Sequence, residues 1–183
     1  MKKAVVFFAD GFEEVEALTV CDALMRAGVK VVKAAVGGSL TVTSSHDVKV
    51  VCDALVEDIK DEMVDLVFAP GGMPGSSNLA QSWPVNEMIV RHVQDRLVAA
   101  ICAAPAVVLG PLGLLEGRKA TCFPGCEEYA PSVVFSSDGV VEDGNIITAK
   151  SVAYAWPLGF LLVERLLGAD ARRRLESGIW WNR

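Results

Sequence analysis

The sequence is poor in histidine, with only His46 and His92 among its 183 residues. Cys122 and Cys126 are four residues apart, but no second pair completes the ligand spacing of a common zinc site. We therefore predict no metal site and no cofactor, and we interpret both cysteines as structural thiols.

Basic charge and long hydrophobic runs are also lacking. The net charge of −6 and the pI near 4.9 argue against nucleic acid or an anionic membrane as a partner. No apolar run approaches the roughly 20 residues of a membrane helix, and the first run, residues 4–9, is shorter than the core of a signal peptide. We expect neither a nucleic-acid nor a membrane partner.

Five cysteines are present, an odd number spread along the chain, which fits free thiols in a reducing cytoplasm better than a disulfide framework. The chain is 52% hydrophobic and long enough for one well-buried core. We predict a single domain over residues 1–183 and a cytoplasmic location.

Short apolar or β-branched runs alternate with helical patterns along the chain. The predicted strands are 4–8, 29–36, 66–69, 97–101, 120–123, 133–135, and late strands within 140–148 that a turn at 143–145 separates, with a hairpin at 40–51. The predicted helices are 13–27, one beginning at Trp83, 156–167 and 169–177, and the first should bury Ala17, Leu18, Cys21, Leu24 and Met25. This alternation is typical of an α/β three-layer sandwich with a mainly parallel central sheet and a small β-hairpin.

Cys102 ends the most apolar of these runs and is followed by Pro105, a residue suited to the first turn of a helix. A strand, a sharp turn and a helix would expose the thiol at a corner, where a helix N-terminus favours the thiolate. Cys102 is thus a candidate nucleophile. The alternative is an ordinary buried cysteine that acts as a small hydrophobic residue.

Three carboxylates, Glu13, Glu14 and Glu16, follow the first predicted strand. Acidic residues in this position commonly cap a helix, and we interpret Glu13 and Glu14 in that way. Glu16 lies between apolar residues, so an inward-facing carboxyl there would be partly desolvated and could remain protonated as a general acid and base.

Gly71 and Gly72 follow the third predicted strand. Ligands of parallel sheets bind at the carboxyl ends of the strands, so this loop should meet the Cys102 corner. Its amides could form an oxyanion-binding site with the Ala103 amide. The alternative is an ordinary glycine turn.

Three segments carry a family resemblance: 100–105 (AICAAP), 10–17 (DGFEEVEA) and 69–75 (APGGMPG). Together they resemble the ThiJ/PfpI family, the DJ-one superfamily, and are most similar to the group of the Parkinsonism-associated protein and its bacterial relatives. The resemblance implies a flavodoxin-like sandwich, a homodimer, and an oxidation-prone cysteine hydrogen-bonded by a protonated glutamate. Those roles fall on Cys102 and Glu16, and the anion-binding amides on Gly72 and Ala103.

The sequence departs from the family at four places. Ala103 stands where the protease-like members have a histidine, so peptidase activity is not expected. Phe123 replaces another histidine, His46 replaces an arginine, and Lys150 lies in a segment that has lost an arginine and a glycine turn. These changes bear on the choice of substrate.

Two functions follow as expectations. The first is a cofactor-independent glyoxalase or deglycase that converts methylglyoxal, glyoxal or their early adducts into 2-hydroxy acids through Cys102 and Glu16. The second is a redox-responsive stress protein or chaperone without significant turnover, in which Cys102 is oxidised to a sulfinate.

Overall fold

The computed structural model describes residues 1–181 and contains a seven-stranded sheet. Its strands, in chain order, are β1 (Lys3–Phe8), β2 (Lys30–Ala35), β5 (Ala54–Leu55), β6 (Leu66–Ala69), β7 (Leu97–Ile101), β8 (Val140–Asp143) and β9 (Ile146–Ala149). Their spatial order is β5-β2-β1-β6-β7-β9-β8, and only the β8–β9 pair is antiparallel. A separate hairpin pairs β3 (Thr41–Thr43) with β4 (Lys49–Val51). The predicted fold class, with its small hairpin, is confirmed.

Within the described part of the chain, six α-helices accompany the sheet: α1 (Glu14–Arg26), α2 (Val56–Ile59), α3 (Gly75–Gln81), α4 (Trp83–His92), α5 (Ala155–Leu167) and α6 (Ala169–Gly178). One core cluster joins the sheet to α1, α5 and α6, and a second cluster joins the sheet to α2, α3 and α4. The three layers follow from these two apolar faces. No helix within residues 1–181 is long and apolar enough to cross a membrane.

The inward face of α1 differs from the prediction. Leu18 is 38% exposed and Met25 is 62% exposed, whereas Val20 and Ala23 are fully buried. A close approach to α5 explains the use of small residues, because a Cβ added at Gly159 of α5 would lie 2.8 Å from the Ala23 Cβ. The buried face is therefore rotated toward Val20 and Ala23.

The strands predicted at 120–123 and 133–135 are wrong. They meet only in a single bridge between Ala120 and Phe135. The Thr121 N–H donates to the Thr148 side-chain hydroxyl (2.9 Å) rather than to a strand backbone. Pro124 has no N–H to continue a ladder. The segment instead forms a loop that leads past the end of β7.

The sheet order brings three loops together. β1 pairs with β6 and β6 pairs with β7, all in parallel, so their carboxyl ends lie at the same edge. Backbone hydrogen bonds connect the loops, since the Glu13 N–H donates to the Gly71 carbonyl (3.0 Å) and the Gly75 N–H donates to the Gly11 carbonyl (3.2 Å). The fold thus places the β1, β6 and β7 loops beside one another.

Candidate active site

Cys102 occupies a strained corner directly after β7. Its φ is +64°, a left-handed backbone conformation that residues other than glycine rarely adopt. Two hydrogen bonds hold the corner: the Cys102 N–H donates to the Ala149 carbonyl and the Phe123 N–H donates to the Cys102 carbonyl, both at 2.8 Å. The predicted strand-to-helix corner is present and leaves the thiol half-buried.

The helix after the corner differs from expectation because it is short. Pro105–Leu109 forms a single π-helical segment of five residues. So short a segment has little macrodipole to stabilise a thiolate. Individual amides provide the favourable contacts instead, since the backbone N–H groups of Ala103 and Gly72 both donate to the Cys102 sulfur.

Glu16 points inward from the first turn of α1 and is only 1% exposed. Its Oε2 accepts a hydrogen bond from the Gly71 N–H (3.0 Å), and its carboxyl is hydrogen-bonded to the Cys102 thiol. Burial raises the pKa of Glu16 to about 7, although both hydrogen bonds oppose the rise. The expected protonated carboxyl is therefore accessible near neutral pH.

Cys102 and Glu16 influence each other's protonation. Burial and the neighbouring Glu16 carboxylate raise the pKa of the Cys102 thiol well above its usual range, while the amides of Ala103 and Gly72 oppose that rise. Protonation of Glu16 removes the negative charge and leaves a carboxyl that can donate to sulfur. The ease with which Cys102 ionises therefore depends on whether Glu16 carries a proton, and not on the backbone corner alone.

Gly71 and Gly72 are required by close packing. A Cβ at Gly71 would lie 2.5 Å from Glu16 Oε2 and 2.6 Å from the Cys102 Cβ, and Gly72 has a φ of +90°. The Gly71 amide does not have the expected anion-binding role, because its N–H donates to the Glu16 carboxyl and positions it. Gly72 and Ala103 retain the orientation toward the sulfur that an anion-binding pair needs.

Glu13 and Glu14 lie beside the site without facing the sulfur. Glu13 caps α1 by accepting the Glu16 N–H (2.6 Å), as expected, whereas Glu14 binds the His46 Nδ1 (2.8 Å) and links α1 to the hairpin. Glu13, Glu14 and His46 bring one potential ligand atom each within 4.8 Å of one another. The prediction of no metal site overlooked this group, because His46 is distant from both glutamates in the sequence.

The second histidine, His92, and Lys150 of the altered segment have other hydrogen-bond partners. His92 is the buried last residue of α4, and its Nδ1 contacts the Met88 carbonyl (2.7 Å) while its Nε2 accepts the Val64 N–H (3.0 Å). Lys150 Nζ donates to the Ser137 carbonyl (2.9 Å). Neither side chain bonds to Cys102 or Glu16.

A cleft of about 380 Å³ opens at Cys102. It is lined by Gly72 and Met73 and by the loop residues Phe123, Pro124, Gly125, Cys126, Glu128 and Tyr129. Cys126, predicted to be only structural, is half-buried and also lines this cleft. Sequence reasoning missed this wall because it predicted a strand at 120–123 and gave no sign of the loop's approach to the corner.

The sequence matches the model of the DJ-1/PfpI family over residues 2–165. It is 39% identical to Protein DJ-1 homolog B of Arabidopsis thaliana over 92% of this chain and 39% of that protein. It is 31% identical to a Caenorhabditis elegans protein named glutathione-independent glyoxalase DJR-1.2, over 89% of this chain and 87% of that protein. The chain spans less than half the length of the two Arabidopsis relatives.

Two solved structures have the same fold. One is a DJ-1 superfamily protein from Salmonella typhimurium, with a TM-score of 0.95, 36% identity and full coverage of both chains. The other is oxidized Toxoplasma gondii DJ-1, with a TM-score of 0.95, 33% identity and full coverage of both chains.

The raised pKa of Glu16 predicts a pH-dependent stability. A carboxyl whose pKa rises from 4.5 unfolded to about 7 folded contributes stability that is present below pH 4.5 and is lost as the pH rises through 7. Relative to Glu16→Gln, the wild type should lose about 3 kcal/mol of unfolding free energy across this window. Urea unfolding at both ends of the window measures it. Glu57→Gln, at an exposed carboxyl, is the control, and parallel profiles for wild type and Glu16→Gln would contradict the assignment.

Proposed function

Because the chain belongs to the DJ-1/PfpI family, we propose that Cys102 and Glu16 catalyse the cofactor-independent conversion of methylglyoxal or glyoxal, and of their early adducts, into 2-hydroxy acids. The observation that carries the proposal is the hydrogen-bonded Glu16–Cys102 pair, with the Gly72 and Ala103 amides directed at the same sulfur. This arrangement supplies a nucleophile, a proton carrier and two amide donors at the base of one cleft.

The chemistry begins with addition to the aldehyde. The Cys102 sulfur forms a bond to the aldehyde carbon of methylglyoxal, and the resulting alkoxide takes a proton to give a hemithioacetal. The amides of Gly72 and Ala103 are the available donors for the negative charge on that oxygen. Glu16 is the carboxyl hydrogen-bonded to the nucleophile, so it is the group placed to deliver the proton.

An internal redox rearrangement follows. Glu16 removes the proton from the former aldehyde carbon and returns a proton to the neighbouring carbon, which oxidises the first carbon and reduces the second. The product is a lactate thioester of Cys102, and water cleaves it to lactate and the free thiol. No external oxidant or reductant enters the balance. Because its pKa lies near 7, the Glu16 carboxyl is suited both to accept and to donate the proton.

Two further observations support this choice of reaction. The name of the Caenorhabditis elegans relative refers to the same glutathione-independent activity. Peptide hydrolysis of the family's protease-like type is disfavoured, because Ala103 follows the nucleophile in place of a histidine base and His92 is bonded within the core.

Oxidation of Cys102 is the second candidate function. Two molecules of peroxide would convert the thiolate successively to sulfenate and sulfinate, with release of one water molecule at each step. The Gly72 and Ala103 amides and a protonated Glu16 would then be donors to the sulfinate oxygens. The oxidized state of the Toxoplasma gondii structure favours considering this role.

A homodimer is proposed for this chain as for the family group that it resembles. Val15, Leu18 and Met25 are exposed along one side of α1, and Val48 and Val51 are exposed in the hairpin region. A second copy of the chain that covers these apolar side chains would remove them from water. Sedimentation as a monomer at micromolar concentration would contradict the dimer.

We also expect a cytoplasmic location, in line with the five free thiols.

The glyoxalase proposal predicts lactate production from methylglyoxal without glutathione. Cys102→Ser should abolish it, and Glu16→Gln should lower kcat by about 10²–10⁴-fold because a general acid–base group is lost. Cys52→Ala, at a buried cysteine outside the cleft, is the control. Lactate formation that survives Cys102→Ser would contradict the nucleophile, and unchanged turnover in Glu16→Gln would contradict the proton carrier.

The redox candidate predicts selective oxidation. Mild peroxide should add two oxygens to the intact mass of the wild type and none at this site in Cys102→Ser. Glu16→Gln should slow the second addition or make the product less stable, because a carboxyl donor is replaced. Equal oxidation of all five cysteines would exclude a specialised Cys102.

A further inference from the structure

Three large apolar side chains are exposed around the cleft at Cys102. Met73 and Phe123 are each 45% exposed and Tyr129 is 46% exposed, and all three line the same cleft. Single exposed apolar residues are common, but a group that surrounds one concave surface is typical of a binding site. Glyoxal has no substituent that could cover these side chains.

Backbone hydrogen bonds hold the aromatic side of the cleft. The Phe123 N–H donates to the Cys102 carbonyl (2.8 Å), the Cys126 N–H donates to the Phe123 carbonyl (3.0 Å), and the Tyr129 N–H donates to the Cys126 carbonyl (3.1 Å). This chain of bonds runs from the nucleophile's own backbone to Tyr129. The apolar wall is therefore built onto the catalytic corner and is organised before a ligand arrives.

The lining of the cleft carries negative charge. Glu128 is the charged residue of its lining, and no lysine, arginine or histidine within residues 1–181 lines it. Burial raises the pKa of the Cys126 thiol, and the nearby Glu127 and Glu128 carboxylates add to that rise. An anionic ligand would meet repulsion here without a compensating cation, whereas a neutral apolar group would bury Met73, Phe123 and Tyr129.

We propose that Met73, Phe123 and Tyr129 form a recognition site for a neutral aryl or branched-alkyl group attached to the carbonyl that Cys102 attacks, and that Glu128 excludes carboxylated substituents. The proposal deepens the proposed function, on which its catalytic part rests: the preferred substrates are neutral aryl 2-oxoaldehydes rather than glyoxal itself. The recognition of aryl electrophiles by the cleft does not depend on turnover.

The first test compares substrates through ratios of kcat/KM. Apolar pockets discriminate by about 10–200-fold, so Phe123→Ala should lower the phenylglyoxal-to-methylglyoxal ratio about tenfold, and Tyr129→Ala should lower it in the same direction. Val134→Ala, at a residue 90% exposed and outside the cleft, is the control and should leave the ratio unchanged. Glu128→Gln should raise the use of 4-carboxyphenylglyoxal relative to phenylglyoxal.

The second test needs no turnover. N-Benzyl-2-chloroacetamide and 2-chloroacetamide carry the same reactive group, and peptide mapping gives the rate at which each alkylates Cys102. The benzyl-to-unsubstituted rate ratio should fall about tenfold in Phe123→Ala and stay constant in Val134→Ala. Using a ratio cancels any general change in the reactivity of the thiol.

The outcomes separate the two proposals. If no 2-oxoaldehyde yields a hydroxy acid but aryl labelling of Cys102 depends on Phe123, the glyoxalase proposal fails and the recognition site stands. If 2-hydroxy acids form with equal ratios in wild type, Phe123→Ala and Tyr129→Ala, the enzyme proposal stands and the recognition site is overturned. A benzyl-to-unsubstituted labelling ratio that is the same in Phe123→Ala as in the wild type would overturn the recognition site as well.

Discussion

The hydrogen bond between the buried Glu16 carboxyl and the Cys102 thiol is the interaction on which the site depends. Glu16 is only 1% exposed, so ionising both its carboxyl and the neighbouring Cys102 thiol would cost a large amount of free energy. The pair therefore favours keeping a proton between the two groups near neutral pH. One proton then decides whether the sulfur faces a carboxylate or a hydrogen-bond donor, and nucleophilic addition, proton transfer and oxidation all depend on that state.

The fold explains how such a pair is maintained. The parallel pairing of β1, β6 and β7 brings three loops to one edge, and each loop contributes a different element: Glu16 at the start of α1, the Gly71–Gly72 amides, and the strained Cys102 corner. The absence of a side chain at Gly71 lets the loop backbone approach both reacting groups at once. The cost of the left-handed Cys102 backbone, on the order of 1–3 kcal/mol, is tolerated because backbone hydrogen bonds on both sides hold the corner in place.

Much of this arrangement was predictable from local patterns. Apolar runs located the buried strands, the position of Cys102 before Pro105 indicated the corner, and the position of Glu16 between apolar residues indicated an inward carboxyl. The individual hydrogen bonds were not predictable. Whether the Gly71 amide would face an anion or Glu16 depends on the approach of two loops 55 residues apart in the chain.

The cleft wall was missed for a related reason. Residues 120–123 have the composition of a strand, and their apolar pattern gave no sign that the Thr121 N–H would bond to the Thr148 side chain. Because this segment is a loop and not a strand of the sheet, Phe123 and Tyr129 line the cleft. The same departure from a strand thus accounts for both the failed prediction and the apolar surface beside the nucleophile.

The central claim is that Glu16 holds a proton near neutral pH because it is buried against Cys102. An NMR titration of protein labelled with ¹³C at the glutamate side-chain carboxyl tests it most directly, with the Glu16 resonance identified by its loss in Glu16→Gln. A midpoint near 7 would agree with the proton-sharing pair. A midpoint near 4.5, the ordinary value for a solvated glutamate, would contradict it.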